Sequence, residues 1–226
     1  MLIDHWPLFG LRLSTPRLEL RLPHSDELAE LADLAAAGVH GPEMMPFSSA
    51  WTDLPPVGRA RAVIQQHCLR VGSWTPDNWS LNLAVFKNGR VVGAQALAAR
   101  SFDLVREVNT ASWLGLPHQG RGLGTEMRAA VLFLAFAGLG AAEATTGAFL
   151  DNTASLAVSR KLGYRHDGTE RRIVRGQATI MRRLRLTREQ WEAHRTLEID
   201  TVGLAPCLPL FGAAGEDGTF SSTASI

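Results

Sequence analysis

The chain has 226 residues, 46% of them hydrophobic, which suits one domain with appendages or two small ones. Its 23 Lys and Arg residues nearly cancel 22 Asp and Glu residues, for a formal net charge of +1, so the basic excess of a general nucleic-acid binder is missing. No apolar run approaches the length of a membrane span, the start "MLIDHWPLFG" has no charged segment followed by an apolar one, and Cys68 and Cys207 lie far apart with no metal-type spacing, so the expectation is a cytoplasmic protein with free thiols, no metal and no membrane partner.

Residues 17–22, "RLELRL", alternate Leu18, Leu20 and Leu22 with charged residues and read as a half-buried strand stopped by Pro23. Ser25 reads as an N-cap, with Asp26 and Glu27 at the positive end of a helix whose face carries Leu28, Leu31, Ala32 and Ala35 and which ends at Gly38. Residues 40–56 are irregular and rich in Pro, Met, Phe and Trp, and a second helix follows over about residues 57–71 after "DLPP". From Ser80 the period becomes two: "SLNLAVF", "KNGR" and "VVGAQAL" predict strand, tight Asn88-Gly89 turn and strand. Residues 103–115 read as a third strand, ended by Pro117.

A long helix is predicted over about residues 122–137, then a strand over 143–150. "DNTASLAVSRKLG" reads as a short helix with Asp151 or Asn152 at its head and Gly163 at its end. Strands over 169–174 and 178–186, joined through "RGQ", and a last helix capped by Thr187 complete the order. The layout is α+β, with helices on both sides of one mixed sheet. "PLFG" occurs at 7–10 and again at 209–212, either by chance or in a shared packing role, and "AAGEDGTFSSTASI" has the composition of a disordered tail. The apolar ends around Phe9 and Phe211 predict a surface that a second copy covers, hence a homo-oligomer.

"HQGRGLGTEMRAAVLFLAF", residues 118–136, sets Gly120, Gly122 and Gly124 directly ahead of the most regular helical segment. Glycine admits positive φ and lets main-chain amides approach a ligand, and the first amides of a helix lack internal partners, so such a turn cradles anions, phosphates above all. Arg121 adds a full positive charge. The spacing is G-x-G-x-G, not the G-x-G-x-x-G of a dinucleotide fold, and no G-K-[ST] follows, which excludes a P-loop; on spacing alone a structural turn is as good a reading as a phosphate site.

Gln119, Gly122 and Gly124 fit the Q/R-x-x-G-x-G/A motif of the GNAT acyltransferases, and "NTASLAVSRKLGY", residues 152–164, resembles the N-x-x-S…K-L-G-F/Y signature of the family's ribosomal-protein and small-molecule N-acetyltransferase branch. "TPRLELR" resembles the same branch, and the flanks "HWPLFGLRL" and "LAPCLPLFG" resemble an actinobacterial subgroup of succinyltransferase type. The resemblance covers roughly residues 15–186 and implies a mostly antiparallel sheet of six to seven strands with a splayed parallel pair that binds acyl-CoA. It implies an N-acyltransferase domain over 15–195, between an extension at 1–14 and a second extension with a tail at 196–226.

By the resemblance, the diphosphate of acetyl-CoA or succinyl-CoA sits among Gln119, Gly120, Arg121, Gly122, Gly124 and Thr125, and the pantetheine arm runs beside Trp113, Leu114 and Leu116. Asn152 and Ser155 contact the arm and its thiol end, and Ser155 or Ser159 protonates the departing thiolate; many members carry tyrosine where Ser159 stands. An amine acceptor attacks the thioester directly, with a backbone amide near residues 114–116 as oxyanion donor. Relatives often carry an acid where Asn109 stands; Asn109 cannot act as a base, so Glu107 or a water chain is the candidate. The alternative is a GNAT-fold module that holds CoA and has lost efficient catalysis. Glu126 reads as a helix-dipole residue. Met45, Phe47 and Trp51 could wall an acceptor pocket or belong to a lid that packs on its own core, and Arg171, Arg175 and Arg183 could meet the carboxylate of a dicarboxylic acyl group or simply face solvent.

Overall fold

In the computed structural model, which describes residues 1–213, the chain opens with a helical turn, α1 (Leu2–His5), a 3-10 turn over Pro7–Gly10, and two short antiparallel strands, β1 (Arg12–Ser14) and β2 (Glu19–Arg21). Then come α2 (Ser25–Ala37) and α3 (Pro56–Gly72), with Pro56 in the first turn, where its missing N–H is not needed. β3 (Asn78–Lys87) and β4 (Arg90–Arg100) form the hairpin that Asn88-Gly89 predicts, both turn residues at positive φ. The third strand is shorter than its alternation suggests. Residues 102–105 make a helical turn, α4 (Phe102–Val105), with Phe102 fully buried as its anchor, and β5 starts only at Glu107 (Glu107–Leu114).

After the glycine turn come α5 (Leu123–Phe133), a π-helical turn (Leu134–Gly138), β6 (Glu143–Phe149) and α6 (Thr153–Lys161). β7 (Arg165–Val174), β8 (Gln177–Thr187), α7 (Arg188–His194), β9 (Asp200–Val202) and a 3-10 turn over Ala205–Phe211 complete the chain. The sheet has nine strands in the order β7-β8-β6-β5-β4-β3-β2-β1-β9, two or three more than expected. The two extensions account for the excess: β1 falls within 1–14 and β9 within 196–226, and they pair with each other at one sheet edge. Three-residue strands carry too little alternation to be seen in sequence.

Every pairing is antiparallel except β5 with β6. One sheet face carries Leu81, Leu83, Leu97 and Val108 against Leu123, Met127, Ala130 and Val131 of α5, with Leu156 of α6 alongside. The opposite face packs Ala84, Phe86, Val91 and Trp113 under Leu28, Leu31, Leu34 and Val63 of α2 and α3. The two "PLFG" segments do share a packing role: both are 3-10 turns at the same end of the core. The indole N–H groups of Trp74 and Trp79 donate to the carbonyls of Leu210 and Phe211 at 2.8 and 3.0 Å. Phe211 is fully buried within one copy and Phe9 half-buried, so of the two ends that suggested an apolar surface only Phe9 keeps part of its ring exposed. Residues 214–226, read as a tail, lie outside the described residues.

Candidate active site

β5 and β6 pair only from Glu107–Asn109 against Glu143–Thr145; beyond that the two parallel strands part. The closed end of this fork is sealed by the hydroxyl of Thr146, which donates to the carbonyl of Thr110 at 2.9 Å. The Gly115 amide donates to Val92 O, which fixes the phase of the β4–β5 ladder: the main-chain groups of Ser112 and Leu114 point away from β4, into the gap. The Leu114 carbonyl is taken by the Gln119 side-chain amide at 2.8 Å, and the Leu114 amide faces the gap. Of the candidate oxyanion donors at 114–116, Leu114 is therefore the one available: Leu116 N donates to Gly38 O at 3.3 Å and Gly115 N is in the ladder.

The glycine turn closes the mouth of the fork. Gly120 and Gly122 adopt φ of +72° and +78°, a conformation that costs an ordinary side chain about 1 kcal/mol or more. A Cβ at Gly120 would meet nothing within 4 Å, so the dihedral, not crowding, calls for glycine there. Among the described residues no acceptor takes the amide hydrogens of Gly120, Arg121, Gly122, Leu123 or Gly124. Five consecutive free amides, the positive end of α5 and the exposed Arg121 concentrate positive potential on one spot. The Thr125 amide is occupied by Gly122 O, so Thr125 brings only its half-buried side chain.

The turn is braced from behind. Glu126, 3% exposed, accepts from Thr15 Oγ1 (2.6 Å), Arg17 N (3.0 Å) and Arg17 Nε (2.6 Å), and Arg17 also donates to the Arg121 carbonyl at 3.2 Å. Glu126 is thus a buried brace between the segment before β2 and the glycine turn, more than the helix-dipole residue its position suggested. Burial pushes its carboxyl upward, but the bonds from Thr15 and Arg17 outweigh that and hold it below the usual carboxylate range. Gln119 turns inward as well, donating to Val39 O and Leu114 O at 2.7 and 2.8 Å, and so ties the end of α2 to the end of β5.

On the α5 side of the fork, Asn152 caps α6 by accepting from the Ser155 amide at 3.1 Å, and Ser155 is half-buried beside it. Ser159 is 1% exposed and its proton is committed to Ser155 O at 3.0 Å, so of the two serines considered as proton donors the geometry favours Ser155. Ser159 in turn accepts from Arg128 of α5 at 2.8 Å, and Arg128 reaches Ser112 of β5 at 3.4 Å. Arg128 escaped the sequence reading. The available signal was one arginine in the apolar run "MRAAVLFLAF" on a helix face otherwise given to the core. Burial pushes its guanidinium below the ordinary arginine range and pushes the phenol of the adjacent Tyr164 up; Tyr164 shares a 3.2 Å hydrogen bond with Thr110.

The other side of the fork carries Glu107, Asn109 and Trp113, in register on the face that α2 and α3 cover. Asn109, the last residue paired to β6, donates to Thr145 Oγ1 at 3.2 Å. Glu107 is half-exposed and bound to Arg185 at 2.6 Å; the same guanidinium meets Asp167 at 3.1 Å and Glu143, and these carboxylates raise its pKa. A cleft of about 360 Å³ runs along this face past Arg70, Ser80, Ala98, Glu107 and Asn109.

Phe47 and Trp51 form an aromatic row with Trp113, at ring separations of 5.3 and 6.0 Å. Met45 is no pocket wall: it is buried against Phe149 and Val174, beneath the loop. The arginines do not gather. Arg175 sits in the β7–β8 turn and forks onto Asp53 at 2.6 and 2.9 Å, Arg183 donates to the Asp167 carbonyl at 2.9 Å, and Arg171 is exposed on β7.

Residues 17–165 match the acetyltransferase (GNAT) domain family. Among solved structures, Mycobacterium smegmatis RimJ in complex with CoA-disulfide is 17% identical, with a TM-score of 0.64 over 84% of this chain and 94% of that one. RimL, a ribosomal L7/L12 α-N-protein acetyltransferase in complex with coenzyme A, is 16% identical, with a TM-score of 0.60 over 76% and 95%. A GCN5-related N-acetyltransferase from Brucella melitensis is 21% identical, with a TM-score of 0.63 over 80% of each chain. At these identities the likeness is one of fold.

Proposed function

The chain belongs to the acetyltransferase (GNAT) family and is an acyltransferase, and on that premise we propose that it moves an acetyl or succinyl group from CoA to a primary amine by direct attack. One observation carries the reading: five amides at residues 120–124, unpaired among the described residues, stand at the mouth of a strand fork whose inner edge presents the Leu114 amide. The diphosphate lies on those amides with Arg121 beside it, and Gln119 and Glu126 hold the turn in shape. The pantetheine arm follows the edge of β5 from Leu116 toward Ser112, flanked by Trp113 and, from α6, by Asn152 and Ser155.

The amine enters from the Glu107–Asn109 face, past Phe47, Trp51 and Trp113. Its nitrogen attacks the thioester carbonyl, the Leu114 amide takes the developing oxyanion, and the amine proton leaves through water toward Glu107. The C–S bond then breaks. A thiolate whose conjugate acid has a pKa near about 8.5 needs little help to leave, and the Ser155 hydroxyl is placed to give it a proton. The acceptor is a small amine or a protein N-terminus; the RimL neighbour is named a ribosomal L7/L12 α-N-protein acetyltransferase.

Thiol release from acetyl-CoA and succinyl-CoA, measured across amines and peptide N-termini, tests this. Acceptor-dependent release is expected. Tight CoA binding without release on any acceptor would instead favour a CoA-binding module.

A further inference from the structure

The cleft beside Glu107 and Asn109 is shaped by residues that bring it positive charge. Its floor is cut from short side chains: Ser80 of β3, Ala98 of β4 and Asn109 of β5 form one cross-strand row, and Asn78 and Arg100 pair in the next. By alternation this row shares a sheet face with Ala94 and Trp113. The resulting volume, about 360 Å³, suits a small molecule. One wall is the end of α3, which brings Arg70; the other is α4, which brings Val105. Ser101 before α4 and Arg106 after it both adopt positive φ, +46° and +53°, which residues with a Cβ seldom do. The Ser101 amide donates to Asp77 O at 2.6 Å and Phe102 is fully buried, so this strained turn is fixed against the core. Strain of this kind concentrates beside ligand sites, where the surroundings hold it.

Arg70 and Arg100 both line the cleft, and among the described residues neither forms an ion pair. Gln66, one turn back on α3, meets Arg70 only with a neutral side-chain carbonyl, at 3.1 Å, once its amide is turned to suit both of its ends. Glu107, the acid of the lining, is held by Arg185 at 2.6 Å. Either arginine alone would be an ordinary surface residue, and Arg70 also suits the last turn of a helix. Two guanidinium groups on one cleft, with no acid of their own and with Asn78, Ser80 and Asn109 between them, make a site for an anion. On the acyl-CoA reading above, on which this step rests, the thiol end of the donor reaches Ser112 and the amine arrives over the Glu107–Asn109 face. Asn109 lies three residues from Ser112, about 10 Å along the strand, so a molecule with its nitrogen at the thioester has its far end in the cleft. We infer that the acceptor is a small primary amine carrying an anionic group, carboxylate or phosphate, about 10 Å from its nitrogen, and that Arg70 and Arg100 read that charge.

Calorimetric titration of the CoA-loaded full chain with 6-aminohexanoate, 6-aminohexyl phosphate and hexylamine tests the inference, since the three share a chain length and differ in the charge at its end. An anionic amine is expected to bind about tenfold or more tighter than hexylamine, and the tighter of the two names the anion. Arg70→Met and Arg100→Met should each cut that preference about threefold or more, and the double variant should bring anionic and neutral amines within about twofold of each other. Both residues are exposed, so the melting temperature should barely move. Ala98→Leu fills the floor and should weaken all three amines about tenfold, with CoA binding as the report that the chain is folded. Equal binding of the three amines by the wild type, or none, overturns the inference and leaves the acyltransferase reading standing. So does a preference that survives in the double variant, and so does a neutral, C-terminally blocked peptide that binds tighter than both anionic amines. Failure of CoA itself to bind would sink the acyl-CoA reading instead.

Discussion

The two sides of the β5–β6 fork are finished to different degrees. On the α5 side, five amides, the Leu114 N–H and the Arg128 guanidinium have, among the described residues, no partner for part or all of their hydrogen-bonding capacity. On the opposite side the polar groups along the β5 and β6 edge are matched, Arg185 with Glu107, Glu143 and Asp167, Arg175 with Asp53, Asn109 with Thr145, and Arg59 Nε of α3 and the cleft arginines Arg70 and Arg100 are the exceptions. Open donors in an exposed turn are met by water until an anion displaces it, whereas a matched network needs no ligand. On the proposed reading the α5 side takes the charged donor, and the opposite side positions the second reactant by shape and by a prearranged edge. Substitutions on the first side should act on donor affinity, and those on the second on stability and acceptor handling.

The largest effect should come from inverting the charge at the open amides. Gly122→Asp places a carboxylate against the diphosphate and should lower CoA affinity by about 100-fold or more. Asp tolerates left-handed backbone better than most residues, and a Cβ there meets only the Arg17 guanidinium at 3.4 Å, so the melting temperature should fall by a few degrees at most, roughly the effect of 1 kcal/mol. Calorimetry with CoA checks this, and unchanged affinity would erase the asymmetry between the two sides.

Where the sequence reading succeeded and where it stopped follows the same division. The glycine turn, the Asn152 cap and the Asn88-Gly89 hairpin were legible because each is a local matter of φ and of one short hydrogen bond. The order of the central strands and helices was legible from period. The partners of Glu126 and Arg185 were not: Glu126 reaches back more than a hundred residues to Thr15, and Arg185 gathers acids from three other segments. The edge strands β1 and β9 were missed because three residues alternate no more than chance does. An irregular segment with large apolar residues reads equally as pocket wall or packed lid, and only the fold shows Phe149 and Val174 beneath Met45.

A middle-sized effect should follow from loosening the brace behind the amides. Glu126→Gln keeps the shape and removes the charge, leaving Arg17 with a weaker acceptor and one hydrogen-bond geometry mismatched. Because Arg17 is half-exposed and can turn to water, the loss of stability should be roughly 1–3 kcal/mol, below that for a fully buried pair. CoA affinity should fall about tenfold as the turn loses its fixed φ values, well short of the Gly122→Asp loss. Denaturant unfolding and calorimetry on the same sample read the two together. A stability loss with undiminished affinity would mean that the turn holds its shape without Glu126, and that the free amides are preorganised by glycine alone.

The smallest effect separates the sides by acidity. Glu27 opens α2, the helix that covers the acceptor face, and Arg21 holds its carboxyl down at about 2 from an ordinary 4.5, chiefly through their paired hydrogen bonds. A carboxyl depressed in the folded state binds fewer protons than in the unfolded chain, so its stabilisation is whole above pH 4.5 and disappears as pH falls toward 2. The pair is a quarter to a sixth exposed, and solvent screening reduces what the shift alone implies to about 1 kcal/mol. Glu27→Gln should therefore cost about that much at pH 7 and flatten the decline in unfolding free energy between pH 4.5 and 2. CoA affinity at pH 7 should be untouched, because the change lies in the matched half of the molecule. A Glu27→Gln protein that lost CoA binding while keeping its stability would show the two sides of the fork to be coupled through α2, and the division drawn between them would not hold.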